Sequence, residues 1–243
     1  MKTLIIIPSR LSATRLPGKP LLKINGMSII SHVFKKAEKA DIGEVVVAAE
    51  DKEIVDDVKE NGGQALLTKN THKTGTDRIY EAFIKLGKKD IDLVMNLQGD
   101  EPLMDIEDMK NLNDQMRNKK SHLGTLASKL EDKKFNENQN IVKVITKENF
   151  NQSLFPKAKN FTRSVSSDPN TYHHLGVYCY QVETLKKFVS LNQSDNEIRD
   201  KLEQLRALDN GIDINVALAK SAPIGLDTYD DFVAIKKIME YKS

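Results

Sequence analysis

Short apolar runs alternate with amphipathic stretches from residue 3 to residue 102. This alternation limits the fold more than any other feature of the chain. "TLIIIP" (3–8) is short, continuous and β-branched, the pattern of a strand buried on both faces. "IISHVFKKAEKA" (29–40) has helical spacing, and "EVVVAAED" (44–51) reads as a second strand. "KEIVDDVKENGG" (52–63) is a helix stopped by glycine, and "QALLT" (64–68) a short third strand. "TDRIYEAFIKLG" (76–87) is helical, and "DLVMNLQGDEP" (92–102) is a strand with a polar end. Strand–helix alternation of this kind implies an α/β fold: a mostly parallel central sheet with helices on both faces.

The second half is patterned differently. "HLGTLASKL" (122–130), "NIVKVITK" (140–147) and "HLGVYCYQV" (174–182) read as strands with few helices between them. Residues 153–172 read as a poorly patterned loop, and "EIRDKLEQLRALDNG" (197–211) as one helix ending at Gly211. Lys201, Glu203 and Arg206 then form a solvated helix face. "DINVALA" (213–219) is a strand, and residues 228–243 form a terminal helix that Thr228 is placed to cap. The expectation is a single domain over 1–243, with 121–195 as an inserted, more antiparallel subregion for substrate specificity or a subunit contact.

Ligands of parallel sheets bind beyond the carboxyl ends of the strands. There the chain places "PSRLSATRLPGKP" (8–20), with Arg10, Arg15 and Lys19 for positive charge and Gly18 for close backbone approach. The combination suits a polyphosphate, although a solvated basic loop has the same composition. Neither the G-x-x-x-x-G-K-[ST] spacing nor G-x-G-x-x-G is present. The formal charge of +2 argues against a nucleic-acid or membrane-surface partner. Cys179 is the only cysteine, so neither an intrachain disulfide nor a cysteine zinc cluster can form. No apolar stretch is long enough to cross a bilayer, and residues 1–8 lack the features of a signal peptide. The expected compartment is the cytoplasm.

"IIPSRLSATRLPGKPL" (6–21) resembles the opening signature of the sugar-nucleotide cytidylyltransferases, I-I-P-A-R-x-x-S-T-R-L-P-G-K-P-L. The nearest branch acts on 3-deoxy-D-manno-octulosonate (Kdo). Further segments match in order: "HKTGTDRI" (72–79), "NLQGDEP" (96–102), "HLGVYCY" (174–180), "EIRDKLEQLRAL" (197–208) and "GLDTYDDF" (225–232).

The resemblance implies a nucleotidyltransferase, Rossmann-like fold and transfer of CMP from CTP to the anomeric hydroxyl of Kdo, for lipopolysaccharide synthesis. It implies that Asp100 and Asp227 hold Mg²⁺, the ion a nucleotide polyphosphate calls for. From the residues alone Asp100 also reads as a turn former before Pro102, and Asp227 as a helix cap. Arg10 and Lys19 join the two aspartates as catalytic residues. The nucleotide side is Arg10, Arg15, Lys19, Thr74, Gly75, Thr76, Arg78 and Gln98. The sugar side is Gln98, Arg163, His174, Tyr178, Glu197 and Gln204. Without the resemblance His174 reads as a hydrogen-bonded strand histidine and Tyr178 as a core aromatic. A homodimer is also implied. The alternatives are a cytidylyltransferase for 8-amino Kdo or a nonulosonic acid, and a CTP-binding protein without catalysis.

Some positions depart from the family pattern. The serine before T-R-L-P-G-K is Ala13, with Ser12 one place earlier, and that of H-x-S-G-T is Thr74. The family's Y-F-S-R-x-x-I-P is "NFTRSVSSD" (160–168), which keeps Arg163 but has Asn160, Thr162, Ser166 and Ser167. The segment before "HHLGVY" is short, with His173 at the usual basic position. A more polar, more flexible loop is expected to raise the sugar KM rather than the CTP KM.

Overall fold

The computed structural model describes residues 1–12, 15–130 and 133–241, so Ala13 lies outside the described residues. The chain forms two compact units, one of Lys2–Ile106 with Pro223–Ser243 and one of Glu107–Ala222 with Met1.

The first unit is built on β1 (Thr3–Ser9), whose run Leu4–Ile7 is fully buried. A two-stranded ribbon follows, β2 (Lys23–Ile24) and β3 (Met27–Ser28). Helix α1 (Ile29–Lys39) starts where the Ser28 hydroxyl accepts from the Ser31 N–H at 3.2 Å, an N-cap. Next come β4 (Gly43–Ala49), α2 (Lys52–Glu60), β5 (Ala65–Leu67), α3 (Gly75–Leu86) and β6 (Leu93–Asn96). Thr74 caps α3 through the Asp77 N–H at 3.2 Å.

All four long strands of this unit are parallel, in the order β6-β1-β4-β5. Ile5 lies beside Val45 on one side and Met95 on the other, so β1 is buried from both neighbours and both faces. The chain moves outward from β1 to β4 and β5, then crosses back to β6 on the other side of β1. Right-handed crossovers put α1 and α2 on one face and α3 on the other. The winding thus reverses at the carboxyl end of β1, where doubly wound sheets bind ligands.

In the second unit, α4 (Ile106–Lys119), β7 (Leu123–Ser128), α5 (Lys133–Glu137), β8 (Lys143–Thr146), β9 (Ala158–Thr162) and β10 (Thr171–Gln181) follow in order. Helices α6 (Val182–Ser190), α7 (Asp195–Asp200) and α8 (Leu205–Asp209) and strand β11 (Asn215–Leu218) complete it. Its strands are mostly antiparallel: β10 pairs with β7 and β8, and β8 with β9, while β11 runs parallel to β7. The 121–195 segment lies within this unit.

Three local expectations differ from the structure. The loop of 153–172 contains β9, hidden from pattern reading because Lys159 and Asn160 are exposed and only Ala158 and Phe161 are buried. The single helix of 197–211 is two short ones, broken at Lys201, whose φ of 53° is left-handed. Helices α4 and α6 were not anticipated; α4 packs a narrow stripe of Met109, Leu112 and Met116 on an otherwise polar sequence.

The chain returns to the first unit with α9 (Tyr229–Tyr241). Thr228 Oγ1 accepts from the Asp231 N–H at 3.2 Å, and the Asp231 carboxylate accepts from the Thr228 N–H at 2.8 Å, a reciprocal cap. Leu226 and Ile235 pack with Ile24 and Ile29, which anchors the segment carrying Asp227. Among the described residues no helix is long and apolar enough to cross a membrane.

Candidate active site

The carboxyl end of the first unit's sheet opens into a cleft of about 360 Å³, within the size range of small-ligand sites. Four segments build it: the loop after β1, the start of α3 with His72–Thr74 before it, the turn after β6, and Asp227. Gly99 lets that turn pass close to β1, since a Cβ there would lie 2.9 Å from the Pro8 carbonyl oxygen.

Lys19 is the centre of the arrangement. Gly18, with φ 70°, turns the chain into a short 3₁₀ segment, Lys19–Leu21. The Lys19 ammonium donates to Asp100 Oδ2 at 2.5 Å and to the Leu226 carbonyl at 2.8 Å, and lies 3.6 Å from Asp227 Oδ1. Arg15 reaches Asp227 Oδ2 at 3.2 Å. The Leu226 N–H donates to the Asp100 carbonyl at 2.9 Å, so the backbones bearing the two aspartates are joined directly. Two cations of the first loop and two carboxylates from distant sequence thus share one corner of the cleft.

The loop is tethered at its start. Leu11 N–H donates to Asp51 at 2.8 Å, and Ser12 Oγ to Glu50 at 3.0 Å. Arg10 is exposed and borders the cleft. Thr74, Gly75, Arg78 and Gln98 also border it, whereas Thr76 is buried and is not among its lining. Arg78 is 3 % exposed and donates to Thr68 Oγ1 at 2.7 Å, to the Lys69 carbonyl at 3.2 Å and to Glu50 at 2.5 Å. Its charge is matched by Glu50, and it braces the wall that it lines.

Glu101 and His72 were missing from the residues singled out in the sequence. Glu101 is pushed up to about 8, first by burial and then by the charges of Asp100 and Asp227, against the opposing pull of Lys19. Its Oε2 has no hydrogen-bond partner among the described residues. His72 lines the cleft and its Nε2 bonds the Glu81 carboxylate, which also accepts from the Lys69 N–H at 3.0 Å and pairs with Lys85 at 2.6 Å. Burial would raise Glu81, but these donors and the Lys85 charge hold it at about 2. The acidic pair in "GDEP" and the histidine of "HKTGTD" were visible signals.

Asp100 and Asp227 suit a hard divalent cation, since both offer only oxygen. No group of three His, Cys, Asp or Glu among the described residues is gathered to hold a metal unaided. Two carboxylates completed by substrate phosphates are the usual Mg²⁺ arrangement.

The sugar-side candidates other than Gln98 belong to the second unit. Arg163 donates to the carbonyls of Asn140 at 3.2 Å and Gln139 at 3.4 Å. His174 is buried, shares a 3.0 Å hydrogen bond with Thr125 Oγ1, and is lowered to about 3 by burial and by His173. It is therefore neutral at physiological pH and serves as a hydrogen-bonding group rather than a cation. The Tyr178 ring lies tilted at 49° to it with centroids 5.5 Å apart, its hydroxyl pushed well up by burial.

Glu197 is bound by Arg206 through two bonds of 2.8 and 2.6 Å, both side chains being 4 % exposed. Arg206 also lies 4.7 Å over the Phe188 ring, so the expected solvated face is in this residue a buried ion pair. Gln204 is buried at the start of α8. Cys179 is buried with its thiol pushed up, which suits no nucleophilic role.

A family model described as cytidylyltransferase matches residues 4–214. A 3-deoxy-manno-octulosonate cytidylyltransferase of Rhodopseudomonas palustris (strain BisB18) is 40% identical, over 99% of this chain and 98% of the relative. One of the same description from Thermodesulfovibrio yellowstonii is 41% identical, over 98% of each. The chain belongs to the 3-deoxy-manno-octulosonate cytidylyltransferase family. A solved structure of CMP:2-keto-3-deoxy-manno-octonic acid synthetase complexed with CTP superposes with a TM-score of 0.91, at 32% identity and covering 100% of both chains. The nucleotidyltransferase fold and the mostly parallel sheet are thus those of this cytidylyltransferase family.

Proposed function

We propose that the protein transfers CMP from CTP to the anomeric hydroxyl of Kdo, releasing pyrophosphate. The observation that carries the reading is the corner of Lys19, Arg15, Asp100 and Asp227 at the switch point of the sheet. The hydroxyl oxygen attacks the α-phosphorus in line, the new O–P bond forms as the bond to the β-phosphate oxygen breaks, and the hydroxyl proton is lost. Positioning and charge neutralisation supply most of the catalysis in such chemistry. Arg10, Arg15 and Lys19 receive the triphosphate and the charge that accumulates on the leaving pyrophosphate. The wall of His72–Gly75 and Arg78 takes the nucleoside. Mg²⁺, held by Asp100 and Asp227, would neutralise the polyphosphate and favour ionisation of the attacking hydroxyl.

On the acceptor side Arg163 is assigned to the sugar carboxylate, with His174 and Tyr178 as neutral hydrogen-bonding groups. Glu197, engaged by Arg206, and Gln204 complete that set. The reading carries with it a cytoplasmic homodimer that activates Kdo for lipopolysaccharide. Pyrophosphate release from CTP, Kdo and Mg²⁺, with CMP-Kdo identified by mass, tests it. A second reading, 8-amino Kdo or a nonulosonic acid as acceptor, is favoured only by the departures at 160–168, and a panel of 2-keto sugar acids separates the two.

A further inference from the structure

A fully buried lysine stands behind Arg163. Lys143 opens β8 and is 0 % exposed, and among the described residues no carboxylate pairs with it. Its ammonium donates instead to two carbonyls, those of Asn138 and Arg163, each at 2.8 Å. A buried charge met only by neutral acceptors is costly, and such charges are rarely kept without a partner. Arg163 uses the same turn, its Nη1 donating to the carbonyls of Gln139 at 3.4 Å and Asn140 at 3.2 Å. Lys143 thus holds both the Arg163 main chain and the 138–140 turn on which the Arg163 guanidinium rests. The other edge of that guanidinium is open, since Nε and Nη2 have no hydrogen-bond partner among the described residues. Burial and then the Arg163 charge lower Lys143; burial and then the Lys143 charge lower His173, which lies beside it in β10. His173 is therefore neutral at physiological pH, and Lys143 and Arg163 are neighbouring like charges with no counter-ion among the described residues.

We propose that Lys143 is a positioning residue for recognition of the acceptor's carboxylate: it fixes Arg163 and the turn beneath it so that the open Nε–Nη2 edge meets the anion. The inference rests on the proposed function, which assigns Arg163 to the sugar carboxylate, and goes beyond it in naming what sets that arginine's geometry. A guanidinium edge takes a carboxylate through two parallel N–H···O bonds, an arrangement that tolerates little displacement of the arginine. Lys143 controls that displacement from both ends of the side chain, through the Arg163 carbonyl and through Asn138. Two like charges held close also repel each other in the free protein, and a bound anion relieves that repulsion. Lys143 itself is shut off from solvent and acts through Arg163 without touching the sugar.

The test uses Lys143→Met, Arg163→Met and the double variant, with the KM for Kdo at saturating CTP, the KM for CTP and the Tm of each ligand-free protein. Lys143→Met should raise the KM for Kdo about five- to thirtyfold, within what loss of a charged hydrogen bond removes. The KM for CTP should stay within about twofold of wild type. The double variant should match Arg163→Met in its KM for Kdo, because nothing is then left to position. If Lys143→Met does not fold, Lys143→Gln, which keeps a donor for one carbonyl, is read in the same way; failure of both to fold would make Lys143 a structural residue and overturn the inference. An unchanged KM for Kdo, equal rises in both KM values with a lowered Tm, or additive effects in the double variant would overturn it as well. A normal KM for Kdo in Arg163→Met would overturn it by removing that arginine from the carboxylate, with CMP transfer left standing. Wild-type protein that forms no CMP-Kdo from CTP, Kdo and Mg²⁺ would remove the proposed function, and the inference with it.

Discussion

Replacing Glu81 with glutamine should destabilise the first unit in a manner that depends on pH. Glu81 is 13 % exposed on its side chain and is lowered from 4.5 to about 2, burial opposing and the donors Lys85, His72 and Lys69 N–H prevailing. At about 1.4 kcal/mol per pH unit this corresponds to about 3 kcal/mol at neutral pH. The figure is a ceiling, because glutamine keeps the shape and an acceptor for the Lys69 N–H. A folded value below the unfolded one means that the contribution is complete above 4.5 and is lost as pH falls through about 2. The same linkage leaves about 1.4 kcal/mol at pH 3. Urea unfolding of wild type and Glu81→Gln, followed from pH 3 to pH 7, reads the gap directly. A gap below about 0.5 kcal/mol at neutral pH would be no larger than a neutral surface change and would refute the reasoning. So would a gap as large at pH 3 as at pH 7, since the stabilisation would then not come from the charge.

Asp100→Asn and Asp227→Asn should each abolish CMP transfer with little change in Tm, because relieving carboxylate crowding offsets the lost ion pairs; near-normal turnover at ordinary Mg²⁺ would remove that residue from the metal site. Lys19→Ala should stay slow at saturating CTP, and normal kcat there would reduce Lys19 to a binding group. Arg206→Leu should cost about 3–5 kcal/mol in chemical denaturation by leaving Glu197 charged and buried, whereas the paired Arg206→Leu, Glu197→Leu variant should recover part of that loss. Additive losses in the double variant would show that the two side chains do not interact.

The first unit was legible because its constraints are local. A run such as Leu4–Ile7 can be satisfied only by burial on both faces. The cluster of cations after β1 was visible for a similar reason, Arg10, Arg15 and Lys19 lying within ten residues. What joins them to Asp227 is not local: Lys19 donates to the carbonyl of Leu226, and that residue's own N–H reaches Asp100. Spacing alone therefore left Asp227 open between a helix cap and a site residue. The structure gives the capping of α9 to Thr228 and Asp231, which frees the Asp227 carboxylate for Arg15 and Lys19.

The 160–173 segment of the second unit was harder because polar contacts, which carry no period, hold it. Ser166 stands where the family pattern has an apolar pair, and the substitution read as a loosened loop. In the structure Asn136 bonds the Ser166 carbonyl at 2.7 Å and accepts its N–H at 3.1 Å, while the Ser166 hydroxyl meets Thr171 Oγ1 at 2.7 Å. Asp168 then pairs with Lys159 at 3.2 Å. The segment replaces apolar packing by side-chain hydrogen bonds to its own turn, which competes with water rather than excluding it. These bonds argue against a large ordering cost on sugar binding. A raised sugar KM would come either from altered contacts at Thr162–Arg163 or from loop entropy; Ser166→Ala, which removes the hydroxyl bonds but no side chain near Arg163, separates the two by raising the sugar KM only if order in this turn matters.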